Sequence, residues 1–504
     1  MKKDTSPVSF LLPRLQDILF ILIFFTVILL GSNLFRDGDP GRHITIGKYI
    51  LQTLTIPTHD LFSYTMAGQP LTPHEWLAQV AYGAGYMALG LNGVVLIAAV
   101  LIAATVTLIY REILRRTTSP LFSLGFGLLA AAATMIHWLA RPHLFTFLYV
   151  ALWTVCLSRL ATPSCGRCRE GQAVPLWHFP VIMLLWANTH GAFIAGFVIW
   201  GAYLAEALWF YFTQPQKPDP KTARNLLVAG GTSFLATFIN PVGWRLWTTS
   251  AGYITNRYLV DLTSEYRSAD FHQPGAWPFI ILLMLALFAL SRAWKKLPLA
   301  EGLLLTGWAF LGIYSARNIP LFAIVTAPIL ADYCQPIIQR ISLFQKIDRQ
   351  VSALERQLRG FLWPLAAILL VSALLLSGHK LDAQKQGYQF NPVEFPVEAA
   401  NWLEQNPQAG NMYDYFPWGG YLIYRFWPEQ RVFIDGQLDF YGEEFTREYK
   451  QILSADEGWE DLVAQYDIAW MLIPPDEPLA ILLHTDPGWA RLYEDQTAVI
   501  FRKR

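Results

Sequence analysis

Residues 19–34, Leu-Phe-Ile-Leu-Ile-Phe-Phe-Thr-Val-Ile-Leu-Leu-Gly-Ser-Asn-Leu, run directly into residues 35–43, Phe-Arg-Asp-Gly-Asp-Pro-Gly-Arg-His. In lipid every backbone N–H and C=O must be paired internally, so an apolar run approaching about 20 residues reads as a helix crossing the hydrocarbon. The charged segment after it marks where the chain leaves the membrane. Comparable runs recur at 94–110, 122–139, 144–160, 193–212, 279–290 with flanks, and 361–376. Shorter or partly polar cores near 175–188, 226–240, 303–314 and 321–338 bring the expected crossings to about eleven.

Composition agrees. The chain is 54% hydrophobic and only 15% charged, where a soluble protein carries about a quarter charged residues. Its 38 Lys and Arg balance 38 Asp and Glu, which argues against a nucleic-acid partner. Threading the chain with its N-terminus inside puts roughly twenty Lys and Arg in the cytoplasm, against about eight in the outer connecting loops. Arg111, Arg115 and Arg116 then lie inside, as do Arg159, Arg167 and Arg169, then Lys217, Lys221 and Arg224, and Arg292, Lys295 and Lys296. The basic, amphipathic stretch 342–359 suits a helix on the same leaflet. The first run lacks a small-residue cleavage site and reads as an anchor, not a signal peptide. The expected location is the plasma (inner) membrane. Cys156, Cys165, Cys168 and Cys334 all fall on or near the cytoplasmic side. The lone Cys165/Cys168 pair has no second pair at metal spacing, so reduced thiols are expected rather than zinc.

The fold class expected is a polytopic α-helical membrane protein, with residues 1–378 as the transmembrane domain and 379–504 as an extracytoplasmic α/β domain. The first outside loop, residues 35–75, is about forty residues long where about four to six are usual. Within it, 44–54 has apolar residues at helical spacing and should lie along the interface. Ile56-Pro57 breaks that helix, and Pro73-His74-Glu75-Trp76 opens another leading into the second crossing. A second long loop, 243–277, carries Asp261, Glu265, Tyr266, Arg267 and His272 and suits a mobile lid. In the tail, a helix at 396–404 and strands at 431–435, 469–473 and 498–502 are expected.

The unusual polar residues gather on one side. Asp37, Asp39, Arg42, His43, His59, Asp60, His74 and Glu75 lie in the first loop. Arg141 and His143 follow the third crossing, Asn188 and His190 the fifth, Asn240 the seventh, and Arg317 and Asn318 the ninth. An ionisable group at mid-membrane costs about 2.5–3.5 kcal/mol on insertion scales, so such residues do not collect without a reason. Arg42, His43, Arg141, His143, His190, Arg317 and Asn318 have the donors to hold a lipid-linked phosphate. Asp37 and Asp39 would take the proton of an acceptor hydroxyl or hold a divalent metal such as Mg or Mn. His59, Asp60, His74 and Glu75 would support the acceptor or the loop. No other cofactor is expected. Plainer readings stand beside these: a solvated turn with helix-capping aspartates, arginines that only anchor the interface, and His137 and His178 as packing residues. Glu206, inside a crossing, needs a partner that the sequence does not name.

Arg36-Asp-Gly-Asp39-Pro-Gly-Arg-His43, Ile56-Pro-Thr-His-Asp60-Leu-Phe-Ser63-Tyr64 and His74-Glu-Trp-Leu77 resemble the first-loop layout of GT-C membrane glycosyltransferases. These include protein O-mannosyltransferases, aminoarabinose transferases and oligosaccharyltransferase catalytic subunits, and the closest likeness is to a bacterial mannosyltransferase-like branch. The resemblance implies a polyprenyl-phosphate or polyprenyl-diphosphate sugar donor used on the outer face. Asp37 or Asp39 would be the base or metal ligand, with Arg141, His143 and Arg317 on the phosphate. The acidic pair here is Asp-Gly-Asp, not adjacent Asp-Glu. Tail segments 414–421 and 432–436 faintly resemble an oligosaccharyltransferase motif, but their order and spacing differ and packing around Gly419-Gly420 explains them. Two other classes remain in view: a flippase for lipid-linked saccharides, and a noncatalytic assembly protein whose Trp418, Phe440 and Tyr441 form an exposed patch.

Overall fold

The computed structural model describes residues 11–161, 174–213, 220–293, 297–358, 360 and 362–504. Cys165, Cys168, Arg167, Arg169, Lys217, Lys295 and Lys296 lie outside the described residues.

The first apolar run forms α1 (Leu15–Leu29) and gives way to a 3-10 turn (Gly31–Phe35). Gly31 is required there, because a Cβ would lie 2.5 Å from the Tyr388 ring. The chain turns into α2 (Asp39–Thr53) with Pro40 in the first turn, where its missing N–H costs no helical bond. α3 (Trp76–Leu89) packs along α2 so closely that a Cβ on Gly47 would lie 1.8 Å from the Gln79 carbonyl oxygen. The helix expected to lie along the interface therefore differs from expectation. It begins at Asp39, and residues 39–47 are all buried, because α3 and a tail helix cover it.

The bundle continues through α4 (Leu91–Thr117), α5 (Pro120–Thr134), α6 (His143–Ala161), α7 (His178–Ala187), α8 (Ile194–Thr213) and α9 (Pro220–Ala236). Two short helices follow, α10 (Arg245–Thr255) and α11 (Arg257–Leu262), then α12 (Trp277–Ala293), α13 (Leu299–Tyr314), α14 (Ile319–Ile338), α15 (Ser342–Glu355) and α16 (Leu362–Leu376). Among the described residues, six helices are long and apolar enough to cross a membrane: Leu91–Thr117, Pro120–His137, His143–Ala161, Gly191–Thr213, Pro274–Arg292 and Ala316–Ile338. Leu15–Leu29, His178–Ala187, Leu299–Tyr314 and Leu362–Leu376 are apolar but shorter. A helix thus stands at each stretch marked by the sequence, and six of them have the length to span unaided. α14 is the central post, buried without interruption from Ile319 to Ala331 against α4, α5, α12 and α13. Glu206 finds its partner at a helix start, accepting the Ala300 N–H of α13 at 2.8 Å.

The tail holds α17 (Val397–Gln405), α18 (Gly419–Phe426), α19 (Leu438–Leu453), α20 (Trp459–Gln465) and α21 (Pro478–Leu483) around a four-stranded sheet. Its strands are β1 (Asn411–Asp414), β2 (Ile468–Ile473), β3 (Trp489–Glu494) and β4 (Val499–Lys503), in the order β1-β2-β4-β3. β1 and β2 are parallel, and β4 runs antiparallel to both β2 and β3. The helix at 396–404 and the strands at 469–473 and 498–502 are present as expected. The strand expected at 431–435 is not. The buried Asp414 carboxylate accepts the Phe433 N–H at 2.6 Å and the Ile434 N–H at 3.4 Å, so neither is free for a ladder. Only Val432 bridges, and its partner is Ser63 of the first loop. Trp418 and Tyr441 are buried and Phe440 is half-buried, so the exposed patch of the assembly-protein reading is core instead.

Candidate functional site

The tail docks on the acidic motif through glycine. A Cβ on Gly38 would lie 2.6 Å from the Pro417 oxygen, and one on Gly41 2.6 Å from the Gly420 oxygen. The backbone at Gly436 meets the motif directly, since a Cβ there would lie 2.4 Å from Asp39 Oδ1. This contact roofs a cavity of about 490 Å³ between first loop, helix bundle and tail.

Arg141 sits at its centre, on the turn between α5 and α6. The Tyr82 hydroxyl donates to the Arg141 carbonyl at 3.0 Å and fixes that turn. The Arg141 guanidinium reaches Asp37 at 2.7 Å, Asp39 at 3.0 Å and Glu265 at 3.5 Å. Asp37 also accepts the Asp39 N–H at 2.9 Å, so the Asp-Gly-Asp turn is closed on itself. Burial first, then the neighbouring Asp39 charge, pushes the Asp37 carboxyl up to about 6, with Arg141 pulling against them.

A second cluster lies beside the first. Arg42 stands 3.8 Å from Glu75 and 3.9 Å from Asp435 and also donates to Gln437. Burial pushes the Asp435 carboxyl up to about 6 against the pull of Arg42. Glu75 is ringed by His43 at 3.8 Å and by His74 and His190 at 3.9 Å each. Thr146 holds His190 at 2.9 Å and itself accepts the Trp186 indole N–H at 2.8 Å. Arg317, on the 3-10 turn before α14, reaches Glu265 at 3.1 Å, the Tyr266 hydroxyl at 2.7 Å and His190 at 3.3 Å. The Glu265 carboxyl would be raised by burial, but Arg141, Arg317 and His137 overrule that and hold it well below the usual range.

Of the residues singled out in the sequence, Asp39, Arg42, His74, Glu75, Arg141, His143, His190, Arg317 and Asn318 line the cavity. Asp37 flanks it through Arg141, and His43 sits behind Arg42 near Glu75 and Gln79. His59 and Asp60 are elsewhere. Asp60 accepts the N–H groups of Phe62 and Ser63, and His59 is an exposed neighbour of Thr58. Asn188 ties α7 to α3 by accepting the Trp76 indole N–H at 2.8 Å. Asn240 bonds within its own turn. The sequence reading missed His137, 3.2 Å from Glu265, and the tail's Gln437 and Asp439, all of which line the cavity. The Asp435-Gly436 turn was the one signal that could have pointed to the tail.

The Asp37 and Asp39 carboxylates share the Arg141 guanidinium. Among the described residues, no group of three His, Cys, Asp or Glu is placed to hold a metal ion.

The sequence matches no family model. It matches no curated protein. Its fold is similar to solved structures. The oligosaccharyltransferase of Archaeoglobus fulgidus, in its apo form, shares 13% identity at a TM-score of 0.60, over 91% of this chain and 69% of that one. ArnT from Cupriavidus metallidurans, in the apo state, shares 13% identity at a TM-score of 0.48, over 96% and 97%. The chain has the GT-C fold, the architecture it shares with the archaeal oligosaccharyltransferase.

Proposed function

We propose that this chain is a glycosyltransferase that moves a sugar from a polyprenyl-phosphate or polyprenyl-diphosphate carrier to an acceptor on the outer face of the membrane. One observation carries the proposal: a single cavity joins carboxylates and three arginines to an apolar wall of Ile194, Val198, Leu311 and Leu321 from the bundle. A phosphate would meet the guanidinium forks while an isoprenoid chain lay along the apolar wall. Asp39, which faces the cavity, would accept the proton of the acceptor hydroxyl as its oxygen bonds to the anomeric carbon. The bond from that carbon to the phosphate oxygen breaks, and its electron pair leaves with the phosphate. Asp37 braces Arg141 beside it. A transporter would place its polar groups midway along broken helices, whereas Arg141, His190 and Arg317 all lie on turns at helix ends.

The test is transfer from labelled polyprenyl-phosphate sugars by purified protein. Asp39→Asn should lower turnover by about 10²–10⁴-fold at unchanged melting temperature, and the Asp37→Asn/Asp39→Asn pair at least as far. Undiminished turnover in the double variant would end the proposal.

A further inference from the structure

Glu265 occupies the place that the proposed function assigns to a phosphate. Its carboxylate lies 3.1 Å from Arg317, 3.5 Å from Arg141 and 3.2 Å from His137, so three nitrogen bases converge on one anion. The surrounding charge makes this consequential. Arg42, Arg141 and Arg317 face Asp37, Asp39, Glu75, Glu265 and Asp435, an excess of carboxylates over guanidiniums. A further anion cannot enter such a low-dielectric site at low cost unless a carboxylate gives way.

Glu265 is the one able to do so. Asp37 and Asp39 hold Arg141 at 2.7 and 3.0 Å, the two shorter of its carboxylate contacts. Glu265 makes the longest of the three contacts to Arg141, from a 3-10 turn in the loop between α11 and α12. The backbone around it is pinned: the Ser315 hydroxyl donates to the Glu265 carbonyl at 3.1 Å, and the Ala316 N–H to the Arg267 carbonyl at 2.8 Å. Exchange is therefore a side-chain rotation with the loop held in place. His137 Nε2 lies 3.2 Å from the Glu265 carboxylate but makes no aligned hydrogen bond among the described residues, so rotation of that carboxylate costs little when an anion enters.

We infer that the phosphate of the lipid donor binds between Arg141 and Arg317 by displacing the Glu265 carboxylate, a resident anion that keeps the two guanidiniums apart from mutual repulsion while no donor is bound. The inference rests on the proposed function and adds the phosphate position and the exchange. The measured affinity is then the intrinsic one reduced by the fraction of molecules with Glu265 swung out.

The experiment measures binding of farnesyl phosphate, with farnesol as headless control, to the full-length protein in detergent, for wild type and Glu265→Gln. The isosteric amide should bind farnesyl phosphate roughly tenfold more tightly, with farnesol binding unchanged. Glu265→Asp, too short to reach both arginines, should fall between and serves if the amide variant folds poorly. Equal or weaker binding by the variants, with wild type binding farnesyl phosphate, overturns the exchange and leaves the proposed function standing. Failure of wild type and variants alike to bind farnesyl phosphate in preference to farnesol overturns both.

Discussion

Gly436→Ala tests whether the tail is part of the catalytic machinery. The new methyl would start 2.4 Å from Asp39 Oδ1, whereas ordinary contact begins at 3.4 Å, so the carboxylate must move by about 1 Å. The backbone should tolerate alanine, since Gly436 is not among the positive-φ glycines. The side chain can rotate away, so the fold should lose less than about 1 kcal/mol. Rotation, however, breaks the 3.0 Å contact with Arg141 and withdraws the proposed base. A displacement of about 1 Å in a reacting group costs about 10²-fold in rate, equivalent to about 2.7 kcal/mol. The assay is transfer from a labelled polyprenyl-phosphate sugar, run beside thermal melting, with Gly125→Ala as control because nothing lies within 4 Å of a Cβ there. Wild-type turnover by Gly436→Ala would refute the reasoning, and so would a loss of turnover matched by a collapse in melting temperature.

Two more outcomes follow from the same geometry. Because Asp37 holds Arg141 in its ionised form and its carboxyl is pushed up to about 6, transfer should fall as pH drops through 6. Stability runs the other way. A carboxyl raised in the folded state binds its proton more tightly there than in the unfolded chain, so its contribution is full below about 4 and is lost as pH rises to 6. Melting of wild type against Asp37→Asn across that window should show the variant gaining as pH rises; a flat difference would contradict the raised carboxyl. Gly47→Ala should destabilise the protein by at least about 1–3 kcal/mol, because its methyl would sit 1.8 Å from a backbone oxygen of α3 that cannot rotate aside. Wild-type melting of that variant would contradict the close crossing.

The helix bundle was legible because spanning segments announce themselves by uninterrupted apolar length, which needs no partner to interpret. The acidic turn at Asp37 and Asp39 was legible as a costly cluster beside the first such segment. What escaped depends on distant segments meeting. His137 has nothing in its local sequence to separate it from a packing residue, and only the approach of Glu265 makes it part of the cavity. Gln437 and Asp439 belong to a tail that reads as a separate α/β unit, and their role appears only once Gly436 abuts Asp39. Residues 431–435 carry the composition of a strand, but Asp414 takes the N–H groups that a ladder would need. α2 reads as amphipathic because α18, which packs on it, is encoded far downstream.

The meeting of Gly38, Gly41 and Asp39 with residues 417, 420 and 436 also bears on biogenesis. A ribosome emits the acidic turn long before the segment that covers it, so the nascent bundle can insert and settle while the carboxylates of that turn still lack their roof. The cavity is complete only when residues 417–436 have been made and have folded back onto the acidic turn, and under the proposed function chains lacking them would not transfer sugar.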